Sequence, residues 1–151
     1  MSVGIGYDSH RFAEGRRLVL GGVEVEHELG LAGHSDADVL THAVIDALLG
    51  AAGMGDIGTL FPDDDERWRD ADSIDLLRTA VGTVAGRIVN VDATLICEQP
   101  RIGPLRAEME RTLAEATSAR VSVKATSNEG MGWIGRGEGI ACIAVASVDS
   151  D

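Results

Sequence analysis

The end of the chain constrains the fold more than any other segment. Ile140–Val148 is a nearly continuous apolar run, interrupted only by Ser147. Such a strand is typical of a sheet that is covered on both faces, because a half-exposed strand would alternate apolar and polar residues. The run therefore predicts a strand that is covered either by helices or by another subunit.

The chain is large enough to supply a hydrophobic core. It has 151 residues, of which 44% are hydrophobic and 25% are charged. This composition is globular and excludes a chain that is disordered throughout. Because the length is typical of one domain, we expect residues 1–151 to form a single domain.

Hydrophobic spacing divides the remainder into strands and helices. Val3, Ile5 and Tyr7 alternate with small or polar residues, as in a strand, whereas the apolar residues of Asp36–Gly53 recur at helical spacing. The other predicted strands are Arg17–Gly22, Gly22–Val25, Val89–Cys97 and Val121–Thr126, and the other predicted helices are Asp72–Val84 and Leu105–Ala116. This order predicts an α+β fold with helices packed on one face of a mixed β-sheet.

Two local predictions concern the first helix and the segment after it. Ser35 is a candidate N-cap, Asp38 completes a start that resembles a capping box, and Gly53 is a stop signal. Gly55–Ala71 is rich in Gly, Asp and Pro, which predicts a long loop. Loops of this length inside compact domains are usually functional or mobile.

The charge of the chain limits its partners. Lys and Arg number 13 against 25 Asp and Glu, which gives a net charge of −12. Nucleic acid and anionic membranes repel such a chain, and a phosphorylated metabolite would be repelled too unless bound cations reverse the local field. Cys97 and Cys142 lie in apolar runs, which predicts buried thiols without a disulfide, and we expect a cytoplasmic protein.

A candidate metal site lies at a predicted strand end. Asp8 and His10 are two residues apart, so both side chains project from the same face of the strand. With a third histidine they would form a zinc site that leaves one position open for substrate, and His42 in the first helix is a candidate. The residues alone leave alternatives open. His10 could be an exposed strand-end histidine, and His42 a helix histidine bonded to a carbonyl.

Other polar clusters could hold phosphate. His34–Asp38 lies at the start of a predicted helix, where free N–H groups favour anions. Thr126–Glu129 offers hydroxyls and a carboxylate for phosphate or a hard cation, and Phe61–Asp65 adds carboxylates, although both could be ordinary turns. Gly135–Gly139 lacks the Lys-Ser/Thr of a P-loop and instead predicts a tight backbone approach with an Arg–Glu pair.

Together these blocks resemble one known family. They are Gly6–His10, His34–Val39 with His42, Asp46–Ala51, Gly55–Gly58, Phe61–Asp63, Lys124–Thr126 and Gly135–Ala141. Their order and spacing resemble the 2-C-methyl-D-erythritol 2,4-cyclodiphosphate synthases of the non-mevalonate isoprenoid pathway. The resemblance spans Val3–Ala146.

The resemblance implies an assembly and a reaction. The subunit would be one catalytic domain in a homotrimer of chorismate-mutase-like architecture, with active sites between subunits. The enzyme would be a phosphorus–oxygen lyase that converts 4-diphosphocytidyl-2-C-methyl-D-erythritol 2-phosphate into the 2,4-cyclodiphosphate and releases CMP. It would use one Zn²⁺ per subunit and a second cation, Mg²⁺ or Mn²⁺, with neither nucleic acid nor a membrane as partner.

The resemblance also assigns residues by matching position. Asp8, His10 and His42 would bind zinc and Glu129 the second cation, while His34 and Ser127 match positions that stabilise the transition state. The residues matching the methylerythritol phosphate side of the substrate site are His34, Ser35, Asp56, Ile57, Gly58, Phe61, Pro62, Asp63, Asp64 and Asp65, and Asp8, Ser9 and His10 match further substrate-binding positions. Those matching the cytidine diphosphate side, supplied by the neighbouring subunit, are Cys97, Glu98, Gln99, Pro100, Arg101, Ile102, Gly103, Thr126, Ser127, Asn128 and Glu129. Trp133 and Arg136 match further ligand positions.

Three departures from the family pattern bear on nucleotide affinity. Ser127 stands where many members carry Thr, Arg101 where Lys is frequent, and Trp133 where Phe is commoner. Two other functions remain compatible with these residues. One is a zinc phosphohydrolase in which water attacks, and the other is a trimeric sensor of isoprenoid phosphates or metal without turnover.

Overall fold

The computed structural model describes residues 1–150, and within that range it contains strands, α-helices and short 3-10 turns. The strands are β1 (Ser2–Ala13), β2 (Leu18–Leu20), β3 (Val23–Val25), β4 (Gly30–Leu31), β5 (Arg87–Ile96), β6 (Arg120–Thr126) and β7 (Gly139–Asp149). The helices are α1 (Val39–Ala52), α2 (Ile57–Leu60), α3 (Ser73–Thr83), α4 (Arg106–Thr117) and α5 (Gly132–Gly135). The predicted longer elements are confirmed, whereas β4, α2 and α5 were not predicted.

The main sheet is mixed, as predicted. Its strand order is β4-β1-β7-β5-β6, and β2 and β3 form a separate two-stranded sheet. β5 and β6 are parallel, whereas the β1–β4, β1–β7 and β5–β7 pairs are antiparallel. No helix within residues 1–150 is both long and apolar enough to cross a membrane.

The strand formed by the apolar run, β7, is covered on one face within the chain. The side chains that alternate toward the helices, among them Ile140, Cys142 and Ala144, are fully buried. On the opposite face Ile143 and Val145 are 38% and 39% exposed. The neighbouring strand β1 continues this apolar surface with Val3, Ile5 and Tyr7, which are 66%, 70% and 54% exposed. The sequence predicts that both faces of this sheet are covered, but helices of the described chain cover only one of them.

The start of α1 differs from the prediction. Its N-cap is Asp38, whose side chain accepts the Thr41 N–H, and the helix begins at Val39. Ala37 has a left-handed backbone with φ 58°, so helical geometry cannot extend back to Ser35, and the prediction of Ser35 as N-cap is wrong. Gly53 ends the helix with φ 69°, as predicted.

The predicted loop Gly55–Ala71 is partly ordered into short helices. Asp56 caps α2, and Asp65 caps a 3-10 turn at Glu66–Trp68. The prediction missed both because these turns are too short to show helical periodicity.

Asp38 also connects α1 to the β2–β3 hairpin through hydrogen bonds. Removing its carboxylate is therefore expected to destabilise the fold. The buried carboxylate accepts the N–H groups of Gly21 and Gly22 at 2.9 and 2.8 Å and the Thr41 hydroxyl at 2.7 Å. Asp38→Ala leaves these donors without their acceptor, so we expect the free energy of unfolding to fall by about 3 kcal/mol. Urea denaturation measures it.

A surface aspartate supplies the control for this prediction. Asp75, in the first turn of α3, is exposed and pairs with Arg78 at 3.0 Å. Asp75→Ala should change the free energy of unfolding by no more than about 0.5 kcal/mol. Equal losses in the two variants would contradict the role given to Asp38.

Candidate functional site

The three predicted zinc ligands come together where β1 passes the first turns of α1. The shared atom is Oδ2 of Asp8, which lies 2.8 Å from His10 Nε2 and 3.2 Å from His42 Nδ1. The two histidine nitrogens are 3.3 Å apart. His42 is buried, and Asp8 and His10 are partly buried. The alternative of a helix histidine bonded to a carbonyl does not describe His42, because its partners here are side chains.

The spacing of these atoms fits a tetrahedral cation. Ligands at about 2.0–2.1 Å from zinc in tetrahedral geometry stand roughly 3.3 Å from one another. The three donor atoms lie within 4.8 Å of one another, and one carboxylate with two imidazoles is a donor set that zinc accepts. The residues therefore fit a divalent cation.

The electrostatics of the cluster suit a cation as well. Burial by itself raises the pKa of Asp8, but hydrogen bonds with His10 and His42 outweigh it and bring that pKa to about 2. Burial also opposes the charged form of His10, yet the hydrogen bond with Asp8 raises its pKa. Asp8 is thus kept as a carboxylate, and a bound cation would have to displace the proton that Asp8 stabilises on His10.

The orientation of His10 is set by the backbone. Its Nδ1 lies 2.8 Å from the carbonyl oxygen of Ala32, which can only accept. The ring proton therefore lies on Nδ1 and is donated to Ala32, and Nε2 faces the cluster with its lone pair when the ring is neutral.

The cluster opens into a cavity of about 480 Å³. Predicted residues that line it are Asp8, His10, His34, Ser35, His42, Ile57, Gly58, Phe61, Pro62, Asp63 and Asp64. The structure thus gathers most of the residues predicted for the methylerythritol phosphate side around the candidate metal ligands. Gly33, Trp68 and Leu76 also line the cavity and were not predicted.

Asp56 and Asp65, two predicted contact residues, do not line this cavity. Asp56 uses its carboxylate to accept the N–H and hydroxyl of Thr59, and Asp65 pairs with Arg67 at 2.6 Å. The Asp65 carbonyl accepts Nε2–H of His34 at 2.9 Å. With that proton committed, His34 can donate from Nδ1 to a phosphate oxygen only as an imidazolium.

Two residues that position parts of the site were not predicted from the sequence. Arg16 donates to the carbonyls of Gly33 and Ser35 at 2.9 and 2.6 Å, which holds the segment around His34. Asp46 on α1 accepts the Ile57 N–H at 2.7 Å and so fixes the start of α2 against the helix that carries His42. Asp46 belongs to the Asp46–Ala51 block of the family resemblance, and this block could have identified it as a site residue. No sequence motif marked Arg16.

The residues predicted for the cytidine diphosphate side form a separate cluster. The Glu98 carboxylate accepts the N–H groups of Asn128 and Gly130 at 2.8 and 3.3 Å, and the Cys97 N–H donates to the Thr126 carbonyl. Here Thr126, Ser127 and Glu129 are exposed, as are Gln99, Arg101 and Gly103; Pro100 is half-buried, and Cys97 and Ile102 are buried. None of these residues lines the cavity at the candidate metal ligands.

The remaining predicted residues lie elsewhere. Ser9 and Trp133 line a second cavity, of about 590 Å³, together with His10. Arg136 donates to Glu138 at 2.5 Å, which confirms the predicted Arg–Glu pair. Cys97 and Cys142 are buried and unpaired, as predicted, and burial raises the pKa of Cys97 to about 11.

Comparison with known proteins assigns the chain to a family. The YgbB family profile matches residues 1–149. The 2-C-methyl-D-erythritol 2,4-cyclodiphosphate synthase of Rubrobacter xylanophilus is 59% identical over 97% of this chain and 94% of its own length. A bifunctional enzyme IspD/IspF of Anaeromyxobacter is 57% identical over 97% of this chain, which spans only 39% of that protein.

A solved structure agrees with the sequence relatives. The IspF structure of Plasmodium falciparum, described as a CDP complex, superposes with a TM-score of 0.82 and 31% identity, and the match covers 99% of this chain and 97% of that one. Several relatives are named 2-C-methyl-D-erythritol 2,4-cyclodiphosphate synthase. The chain therefore belongs to the YgbB family, whose profile matches nearly all of it.

Proposed function

We propose that this chain is a 2-C-methyl-D-erythritol 2,4-cyclodiphosphate synthase of isoprenoid biosynthesis. Its substrate would be 4-diphosphocytidyl-2-C-methyl-D-erythritol 2-phosphate, and its products the 2,4-cyclodiphosphate and CMP. The observation that carries the proposal is the Asp8–His10–His42 cluster at the floor of a cavity lined by the predicted phosphate-side residues. Family membership and the named relatives support it.

The proposed reaction needs charge stabilisation more than proton transfer. An oxygen of the 2-phosphate attacks the β-phosphorus, the bond from that phosphorus to the bridging oxygen breaks, and CMP leaves with the oxygen. This is the chemistry of a phosphorus–oxygen lyase. Because the attacking oxygen is already ionised, the protein has to bend the substrate and neutralise developing charge.

The chain offers groups for each of these tasks. Asp8, His10 and His42 would hold zinc, which when bound would supply Lewis-acid stabilisation at the β-phosphate. Glu129 would hold the second cation, Mg²⁺ or Mn²⁺. The Ser127 hydroxyl lies 3.4 Å from the Glu129 carboxylate. His34, anchored through Nε2, would present Nδ1–H to a phosphate oxygen as an imidazolium.

The proposed functional unit is a homotrimer with its sites between subunits, in a chorismate-mutase-like arrangement. Two observations support it. The cavity at the candidate metal cluster is lined by none of the residues predicted for the cytidine diphosphate side, and the sheet face bearing Ile5 and Val145 is apolar and exposed. An exposed apolar patch of this kind marks an interaction surface. We also propose that residues 1–151 act as one catalytic domain in the cytoplasm.

Phosphorus NMR of the reaction, with a coupled assay for CMP, tests the proposed function. We expect the resonances of the substrate to give way to those of a cyclic diphosphate, with one CMP released for each substrate consumed. Linear phosphorylated products would instead indicate the zinc phosphohydrolase, in which water attacks. Tight substrate binding without CMP release would indicate the sensor.

A further inference from the structure

The two ring nitrogens of His42 have separate surroundings. Nδ1 faces the candidate metal cluster, at 3.2 Å from Asp8 Oδ2. Nε2 points the other way, 2.8 Å from the hydroxyl of Ser73 and 3.1 Å from that of Ser35. Ser73 is fully buried at the start of α3, so no solvent competes for its contact with the ring.

The Asp36 carboxylate determines which way the Ser73 hydroxyl points. It accepts the Ser73 hydroxyl proton and, at 3.0 Å, the Ser73 N–H. An ionised carboxylate can only accept, so the Ser73 proton is committed to Asp36. The Ser73 oxygen therefore faces His42 with a lone pair, and Nε2 must carry a proton to bond with it.

We propose that Asp36 and Ser73 are positioning residues that keep a proton on Nε2 of His42, so that when a cation replaces the hydrogen bond from Nδ1 to Asp8, the Nδ1 lone pair is directed at the metal position. This inference rests on the zinc site of the proposed function. In a neutral imidazole one nitrogen carries the proton and the other the lone pair, so a hydrogen bond at Nε2 selects the nitrogen available to a cation. Asp36 lies in the His34–Asp38 segment that was a candidate phosphate site, but neither residue was predicted to support a metal ligand.

The Ser35 hydroxyl cannot make this selection by itself. It accepts the Ala37 N–H at 3.3 Å, and among residues 1–150 it has no hydrogen bond with a carboxylate that would fix its own proton. A hydroxyl with a free proton can either donate to Nε2 or accept from it, so it tolerates both tautomers. The carboxylate behind Ser73 removes that ambiguity.

Zinc affinity of the purified chain, measured by competition with a chromophoric chelator, tests the proposal. Ser73→Ala removes the hydroxyl that accepts the Nε2–H of His42. Asp36→Asn replaces the carboxylate, which can only accept the Ser73 proton, with an amide that can also donate. Each should weaken zinc binding roughly 10–100-fold, the usual effect of losing such support behind a metal ligand. Thr117→Val is the matched control, because Thr117 is a buried hydroxyl on α4 that donates to the Leu113 carbonyl. Its zinc affinity should stay within about twofold of the parent.

A spectroscopic measurement separates positioning from a structural role. In the zinc-loaded parent with ¹⁵N-labelled histidine, the Nε2–H signal of His42 should be visible and exchange slowly with solvent. In zinc-loaded Ser73→Ala this proton should exchange faster, because its buried acceptor is gone. A loss of global stability alone, as in Thr117→Val, would leave the signal unchanged.

Unchanged zinc affinity in both variants would overturn the proposal, as would an Nε2 proton that stays equally protected in Ser73→Ala or a parent chain that takes up no zinc. Failure here is distinguishable from failure of the proposed function. If the parent releases CMP and the variants keep their zinc affinity, the reaction stands and the positioning role fails. If the variants lose affinity while the parent gives only linear products, the positioning role stands and the reaction fails.

Discussion

His42→Ala is expected to release zinc from the purified protein and to lower the rate of CMP release at least roughly 100-fold. The reason is that only Asp8 and His10 remain of the donors that lie within 4.8 Å of one another in the parent. A site that is open to substrate has no further protein ligand to compensate. Elemental analysis of the purified variant measures zinc, and a coupled assay measures CMP.

A second histidine provides the control for this result. His27 lies outside the cluster, and its ring packs on Phe12 with the centroids 5.4 Å apart. It is half-buried. His27→Ala should keep full zinc content and CMP release. Full zinc retention in His42→Ala, with the fold intact by circular dichroism, would remove His42 from the ligand set.

The core of the site was predictable because its signals are local. Asp8 and His10 are two residues apart on a strand, so period-2 geometry alone places them on one face. Helical spacing placed His42 on α1, and the family resemblance brought the three together. In the structure the distances between their donor atoms are 2.8, 3.2 and 3.3 Å.

The start of α1 was not predictable because distant groups decide it. Ser35 and Asp38 are both acceptable N-caps by residue type. In the fold, Asp38 gains the N–H groups of Gly21 and Gly22, while the Ser35 hydroxyl turns to His42. These partners are 7 to 17 residues away in the sequence, and no local pattern predicts them.

The division of the predicted substrate residues into two groups came from the family resemblance and from no local pattern. The resemblance places Asp63 on the methylerythritol phosphate side and Glu98 and Glu129 on the cytidine diphosphate side. In the structure Glu98 is bound to the backbone of the 128–130 turn and does not line the cavity that Asp63 lines. The apolar run of β7 was ambiguous, since periodicity indicates a covered face without identifying what covers it.

Gly6→Ala is expected to destabilise the protein by about 3 kcal/mol or more and to weaken zinc binding with it. A Cβ at Gly6 would lie 1.9 Å from the carbonyl oxygen of Ala43 and 2.7 Å from the Ala47 nitrogen. Both are backbone atoms of α1, so the clash is relieved only if β1 and α1 separate. That separation would also move Asp8 and His10 away from His42. Urea denaturation and the chelator competition measure the two effects.

Gly82→Ala tests whether any added methyl group has this effect. Gly82 is an exposed residue of α3, and beyond its chain neighbours and the nearby backbone of its own helix a Cβ there would have no heavy atom within 4 Å. Alanine in a helix is favoured over glycine by roughly 0.5–1 kcal/mol, so this variant should be as stable as the parent or slightly more stable. A Gly6→Ala protein with parental stability and zinc affinity would mean that contact between the β1 and α1 backbones does not hold the metal ligands together. We expect the opposite, because the only side chain that fits between these two backbones at Gly6 is a hydrogen atom.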